Sequence, residues 1–258
     1  MLYCLLLFGI AILPVIILMV FIYRQDKYQK EPIKSLAKAF IGGMLAIPLD
    51  ILLVTGIDSA LAGTAITNTV FFSAFLEAGI PEELSKFLIF MIFIWNDKNF
   101  DEYFDGIVYA AYLSLGFACV ENIGYVLQGS DQMLTALMRG VLAVPAHFLF
   151  AVTMGYYVSL AKFDPQHRGG HLFKAFLFPM LLHGTYDALL MVASTLGEAY
   201  GEESEVVIVT CAVLFVVFII FDIKMWRWGL KRIKRHQERS KEQGFDRLHP
   251  FDGFTWNI

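Results

Sequence analysis

Apolar residues fill long stretches of this chain, and short polar connections separate them. The stretches cover roughly residues 1–23, 35–56, 67–95, 105–128, 132–160, 171–195 and 206–225. An α-helix needs about 20 mostly apolar residues to cross a membrane. The alternation of apolar and polar residues that marks transmembrane β-strands does not occur in these stretches. The pattern therefore predicts an all-α fold, a polytopic transmembrane helical bundle of about seven spans.

Composition and the placement of charge support this interpretation. Of the 258 residues, 57% are hydrophobic, whereas a soluble domain is usually about 45–50% apolar. Eighteen of the 20 Lys and Arg residues lie around the connections after the first, third and fifth segments or after the last one. Because Lys and Arg collect on the cytoplasmic side of membranes, we expect the N-terminus outside and the C-terminus inside. We divide the chain into a membrane-embedded domain, 1–225, and a basic cytoplasmic tail, 226–258.

Ionisable side chains occur inside the apolar segments, at Asp50, Glu77, Glu82, Glu83, Lys86, Glu121, Arg139, His147, His183 and Asp187. A charged side chain at the bilayer centre costs at least about 2.5–3.5 kcal/mol on insertion scales, and such residues usually face an interior cavity and mark a function. The acids outnumber the bases, so some carboxyl groups carry a proton, or a cation or the histidines compensate the charge. Either arrangement suits catalysis or ion handling better than a purely structural role.

The stretch GIPEELSKF concentrates three of these charges within little more than one helical turn. Lys86 follows Glu82 by four residues and Glu83 by three, so its ammonium group can reach either carboxylate. The two glutamates diverge by about 100° around the helix. We expect one of them to face a cavity while the other braces a neighbouring helix. Pro81 has no backbone N–H and therefore frees the carbonyl group of Glu77.

Glu121 is a lone acid deep in the fourth segment, and it needs a partner there. Phe117 lies one turn before it on the same helix face, and Asn122 follows it directly. The same segment carries a ridge in which a small or short residue recurs every four positions, at Gly106, Ala110, Ser114, Ala118 and Asn122. Such a ridge lets another helix approach closely.

The fifth and sixth segments contribute the two histidines. His147 follows Pro145, which removes a backbone hydrogen bond and is expected to kink the helix. His183 and Asp187 share one helix face at i, i+4, so the carboxylate can orient the imidazole. Counted from the segment ends, Glu82, His147 and His183 fall near the middle of the membrane. Residues from separate helices are thus predicted to meet at similar depths.

Carboxylates and imidazoles in one place can activate water in two ways. A glutamate can act as a general base while a histidine donates a hydrogen bond to a developing oxyanion. Alternatively, the side chains can bind a divalent metal such as zinc, which lowers the pKa of its water to about 7. The candidate ligands are Glu82, Glu121, His147 and His183.

Several familiar motifs are missing from the sequence. It has neither an HExxH helix nor a G-x-S-x-G elbow, and nothing in it indicates nucleotide or nucleic-acid binding. A proton- or ion-coupled transporter that uses the intramembrane acids as a relay is the alternative to an enzyme.

Four stretches resemble, in order, the PrsW family of membrane proteases, namely EELSK, DGIVYAAYLSLGFACVENIGY, PAHFLFAVTMGYY and LLHGTYD. KYQKEPI after the first helix is also similar, and the resemblance covers roughly residues 23–190. It implies a multi-pass protease of the bacterial plasma membrane, embedded in the lipid bilayer. It further implies that the substrate is a single-pass anti-sigma factor, which receives its first (site-1) cut in a stress-response sigma factor pathway.

By position, the family's motifs fall on particular residues of this chain. The resemblance implies that the catalytic residues are Glu82, Glu83, Glu121, His147, His183 and Asp187. Supporting positions are Lys86, Phe117 and Asn122. The related type II CAAX prenyl endopeptidases have His and Asn where this chain has Glu121 and Asp187. A metal-free and a zinc-dependent mechanism therefore both stay open.

Overall fold

A computed structural model describes residues 2–201 and 204–248, which fold almost wholly into helices. This confirms the all-α bundle. The α-helices are α1 (Leu2–Gln25), α2 (Ile33–Leu61), α3 (Ile80–Phe93), α4 (Asp105–Gln128), α5 (Gln132–Met138), α6 (Val144–Phe163), α7 (Arg168–Tyr200) and α8 (Glu205–Leu248). Two π-helices, Phe72–Gly79 and Arg139–Ala143, run directly into α3 and α6. Short 3-10 turns cover Ala65–Asn68 and Pro165–His167.

Within the described residues, six helical stretches are long and apolar enough to cross a membrane. They correspond to the predicted segments except the third, 67–95. That segment is a 3-10 turn, then the first π-helix, then α3, so its helical part combines several helix types. The fifth segment is likewise α5, the second π-helix and α6 in succession. The sidedness of the termini stays a prediction.

Helix α4 occupies the centre of the bundle and packs on α1, α2 and α6. Its small residues allow this, because a Cβ atom added at Gly155 of α6 would stand 2.3 Å from the carbonyl oxygen of Gly106. Further along the same contact, the Ser114 hydroxyl donates to the backbone carbonyl of His147 at 3.0 Å. The Asn122 amide donates to the carbonyl of Ala11 in α1 at 2.9 Å. The ridge predicted in the fourth segment is thus a helix-packing surface.

Helix α8 is longer than the predicted last segment, 206–225, because it continues without a break to Leu248. Its distal part docks on the connection before α4, where the Ser240 hydroxyl accepts from the Phe104 N–H at 2.9 Å. Gln243 accepts from the Tyr103 N–H at 3.0 Å. The described part of the predicted tail is therefore helical and packed, and residues 249–258 lie outside the described residues. The division at residue 225 stays a prediction.

Candidate active site

Two π-helices set the positions of the charged residues in α3 and α6. Pro81 and Pro145 are each the second residue of the α-helix that follows a π-helix. Proline is tolerated in a first helical turn because the N–H groups there have no partner in the helix. π-Helical turns are rare and occur frequently at functional sites. Glu82 is the third residue of α3 and His147 is the fourth residue of α6, so both lie in the first turn after a π-helix.

Close packing of the first π-helix against α7 brings His183 of α7 near the glutamates of α3. A Cβ atom at Gly79 would lie 3.1 Å from the Met180 carbonyl oxygen, and one at Gly184 would lie 2.3 Å from the Phe75 ring. Glycine at both positions lets the backbones approach. As a result His183, next to Gly184, reaches the glutamates of α3.

The ammonium group of Lys86 lies at the centre of the site. Its Nζ donates to Glu82 Oε2 at 3.0 Å and to Glu83 Oε1 at 2.8 Å, and it lies 3.1 Å from His147 Nδ1. An ammonium group has three hydrogens to donate, and three acceptors surround this one. The Phe117 ring, predicted in a supporting position, has its centroid 4.1 Å from Nζ. The lysine is fully buried, and the two carboxylates, Glu82 and Glu83, compensate its charge.

His147 is held between a donor and an acceptor, which fixes its tautomer. Lys86 can only donate, so Nδ1 of the imidazole accepts and the ring proton sits on Nε2. Nε2 lies 2.8 Å from Glu121 Oε2 and donates to it. The other oxygen of Glu121 binds Arg139 Nη2 at 2.9 Å. Arg139 in turn donates from Nε to Asn122 Oδ1 at 2.9 Å.

His183 bridges two carboxylates. Its Nδ1 lies 3.0 Å from Glu83 Oε1, and its Nε2 lies 3.3 Å from Asp187 Oδ2. Both contacts are ion pairs when the ring carries two protons. The ring stacks on Phe150 at a centroid distance of 4.8 Å. The predicted i, i+4 pairing of His183 with Asp187 is thus present, together with a second partner from α3.

These side chains surround one cavity of about 270 Å³. Its polar walls are formed by Glu82, Glu121, Arg139, His147, His183 and Asp187. Glu83 and Lys86 lie behind the wall and have no exposed surface. Glu82 therefore faces the cavity while Glu83 braces α7, which is the division of roles that their angular separation predicts.

Four of the side chains form a group with the chemistry of a metal site. Glu82, Glu83, His147 and His183 each offer a ligand atom, and these atoms lie within 4.8 Å of one another. Carboxylate oxygens and imidazole nitrogens are zinc ligands. Glu83 Oε2 is buried and, among the described residues, has no hydrogen-bond partner, so the donor set fits a cation. The predicted ligand set contained Glu121 in place of Glu83.

Glu121 takes a different position in the structure. It contacts the Nε2 atom of His147, whereas the Nδ1 atom faces Lys86 and the other possible ligands. Glu121 is thus placed to orient an imidazole that belongs to the group of four. Asn122, predicted as a supporting residue, binds Arg139.

Arg139 is a site residue that the sequence did not identify as such. It pairs with Glu121 and lies 3.9 Å from the ring centroid of Tyr125. Its only signal in the sequence is that it is one of two bases within the apolar segments. Asp50 and Glu77, two of the intramembrane acids, do not line the cavity. Asp50 Oδ1 is buried and has no hydrogen-bond partner within the described part of the chain.

The chain is similar to known proteins over most of its length. Residues 31–221 match the PrsW family of intramembrane metalloproteases. Protease PrsW of Clostridioides difficile is 34% identical over 246 residues, which cover 94% of this chain and 96% of that protein. Protease PrsW of Geobacillus kaustophilus is 33% identical over 91% of this chain and 93% of its own length. That of Bacillus subtilis is 32% identical over 88% and 93%.

No solved structure matches the chain. The family match spans most of the sequence and includes every residue of the cavity wall. The relatives are bacterial, and the six membrane-crossing stretches make this a multi-pass protein of the bacterial cell membrane. The chain belongs to the PrsW family of intramembrane metalloproteases.

Proposed function

We propose that this protein is an endopeptidase that makes the first, site-1, cut in a membrane-anchored anti-sigma factor and so starts a stress-response sigma factor pathway. The observation that carries the proposal is the convergence of Glu82, His147 and His183 on one cavity inside a membrane bundle. Family membership supports peptide-bond hydrolysis. The choice of an anti-sigma factor as the substrate rests on the resemblance of the sequence motifs to those of the family.

Glu82 is the general base of this proposal. Lys86 holds its Oε2 atom, which leaves the second oxygen available to take a proton from water in the cavity. A correctly placed general base contributes about 10²–10⁴-fold to rate. Glu83, fully buried and bound to both Lys86 and His183, keeps those two groups in place.

His183 supplies a hydrogen bond to the oxyanion of the tetrahedral intermediate. Its Nε2 atom is the nitrogen on the cavity side, because its partner Asp187 lines the cavity whereas Glu83, the partner of Nδ1, does not. The 3.3 Å contact with Asp187 is the longer of the two. It is the contact that exchanges for the oxyanion, while Glu83 keeps the ring oriented.

In the zinc-dependent form of the proposal, which is the alternative to the metal-free form just described, the group of four ligands would hold the metal that the family description implies. A divalent ion, with zinc as the candidate, would act there as a Lewis acid and would lower the pKa of bound water to about 7. In that state Glu121 and Asp187 hold the second nitrogen of each histidine, and such partners orient metal ligands.

The cavity lies toward one end of the bundle. Tyr125 on its wall is three residues before the end of α4, and Arg139 opens the π-helix that follows α5. The connection between α4 and α5 contains no Lys or Arg, so the positive-inside rule places this end outside. A single-pass substrate is therefore cut near the outer part of the bilayer.

The test is cleavage of a single-pass anti-sigma factor by the purified protein in proteoliposomes, with products identified by mass spectrometry. We expect Glu82→Gln to lower the cleavage rate at least 100-fold. Glu77→Gln is the matched control, since Glu77 is an intramembrane glutamate of the preceding π-helix that does not line the cavity. Cleavage by Glu82→Gln at the wild-type rate would refute the proposal. Proton or ion flux without cleavage would favour the transporter alternative instead.

A further inference from the structure

The ammonium group of Lys86 stands where the group of four ligands would place a metal ion. Nζ lies 3.0 Å from Glu82, 2.8 Å from Glu83 and 3.1 Å from His147, which are three of the four possible ligands. The fourth, His183, contacts the same oxygen of Glu83 at 3.0 Å. The lysine therefore acts as an internal cation that holds the ligands together.

A divalent metal and this ammonium group cannot share the position. Zinc ligands bind at about 2.0–2.2 Å, which is closer than the present Nζ contacts. A ligand lone pair that binds the metal can no longer accept a hydrogen bond from the ammonium group. Two positive centres so close together would also repel each other strongly in a poorly solvated interior. Metal binding therefore requires Lys86 to leave its three acceptors.

A second acceptor is available on α2. Helix α2, which carries Asp50, packs against α3, which carries Lys86. A Cβ atom at Gly42 of α2 would lie 3.3 Å from the Ile89 side chain of α3. The Oδ1 atom of Asp50 is buried and lacks a hydrogen-bond partner among the residues described. Buried polar atoms are almost always paired, so this unpaired oxygen needs an explanation. A displaced ammonium group would satisfy it.

We propose that Lys86 and a divalent metal ion compete for Glu82, Glu83 and His147, and that Asp50 receives the Lys86 ammonium group when the metal binds. The inference rests on the proposed function only in taking this group of four as the metal site. It predicts that metal loading is coupled to a lysine movement between α3 and α2. The lysine-held state keeps the ligands arranged before the metal arrives.

The test is calorimetric titration of the detergent-solubilised, metal-stripped full chain with Zn²⁺, with Co²⁺ absorption spectra as a second readout. A hydrogen bond to a charged group is worth roughly one to two powers of ten in an equilibrium constant. We expect Asp50→Asn to raise the Kd for Zn²⁺ about 10-fold or more. Lys86→Met, which removes the competing cation, is expected to lower it by at least a similar factor.

The double variant separates this explanation from a general loss of structure. In the Lys86→Met background, Asp50→Asn is expected to leave the Kd unchanged, because no ammonium group needs an acceptor. The control is Glu77→Gln, because Glu77 is also an intramembrane acid but does not line the cavity. This variant should bind Zn²⁺ like the wild type. If Lys86→Met does not fold, Lys86→Gln replaces it in the same comparison.

An unchanged Kd in Asp50→Asn would overturn the proposal, as would a failure of the wild type to bind Zn²⁺ or Co²⁺. Peptide cleavage is measured separately on the same preparations. Normal cleavage with an unchanged Kd in Asp50→Asn refutes this inference alone. The expected shifts in Kd without any cleavage refute the proposed function alone.

Discussion

Replacing Glu121 by glutamine isolates the contribution of a residue that acts through His147. The two oxygens of Glu121 accept from different donors, His147 Nε2 at 2.8 Å and Arg139 Nη2 at 2.9 Å. The glutamine amide has one oxygen and one NH₂ group. Whichever way it rotates, the NH₂ group faces a donor, so one of the two hydrogen bonds is lost.

The size of the effect follows from these contacts. A hydrogen bond to a charged group contributes about 1.5–3 kcal/mol, and the side chains of Glu121 and Arg139 are only 15% and 19% exposed. Loss of a partner that orients a metal-ligating histidine typically costs about 10–100-fold in activity or metal affinity. We expect kcat/KM for peptide cleavage to fall by about 10–100-fold in Glu121→Gln.

The assay is steady-state cleavage in proteoliposomes, with kcat and KM determined separately. The loss is expected in kcat, because Glu121 positions His147 rather than binding substrate. The control is Glu198→Gln, an exposed acid near the end of α7. If Glu121→Gln keeps the wild-type kcat with its thermal stability intact, the argued link from Glu121 through His147 to the chemistry is wrong.

Four further substitutions, at three positions, test other parts of the structure. Arg139→Gln should lower kcat less than Glu121→Gln does, and Arg139→Lys less still, because lysine keeps the charge but not the forked geometry. Gly155→Val should cost about 1–3 kcal/mol of stability, and melting in detergent should fall by roughly 3–10 °C. Outside the membrane spans, burial and the nearby carboxyl group of Asp105 raise the pKa of Glu31 to about 10. A raised acid pKa favours the protonated folded state, so this contribution to stability is full below the ordinary value of 4.5 and is lost as pH rises toward 10. Between pH 6 and about 9.5, the melting temperature of Glu31→Gln should fall less than that of the wild type. Equal slopes of melting temperature against pH for the two proteins would contradict this prediction.

Much of the fold follows from the apolar pattern, because each helix must bury or expose to lipid a continuous run of side chains. The positions of α1, α2, α4 and α7 agree with the predicted segments to within about five residues, whereas the fifth segment is shared by α5, the second π-helix and α6. The π-helices do not follow from that pattern. The first packs closely against α7 at Gly79 and Gly184, and such contacts between distant segments are invisible in local periodicity.

The site was predictable where its contacts are local. Lys86 with Glu82 and Glu83, and His183 with Asp187, are spaced by three or four residues, and the structure contains all three pairs.

Contacts between helices were not accessible in this way. The partner of Glu121 could not be named from the sequence, and Arg139 was not assigned to the site. Arg139 lies in the second π-helix, where a wider turn shifts every later side chain around the axis relative to an α-helix. Counting by 3.6 residues across it gives the wrong helix face.

The burial of the charges follows an order that matches their roles. Lys86 and Glu83 have no exposed surface, whereas Glu82 keeps 8%. Removing one partner from a fully buried pair leaves an uncompensated charge and costs about 3–5 kcal/mol. A residue at the cavity wall can instead be hydrated after its neighbour changes. Substitutions at Glu83 or Lys86 therefore report on folding together with chemistry, while substitutions at Glu82 report chiefly on chemistry. Because Glu82 meets water and is less buried than Glu83 and Lys86, it can change its proton without breaking the contacts that hold α3, α6 and α7 together.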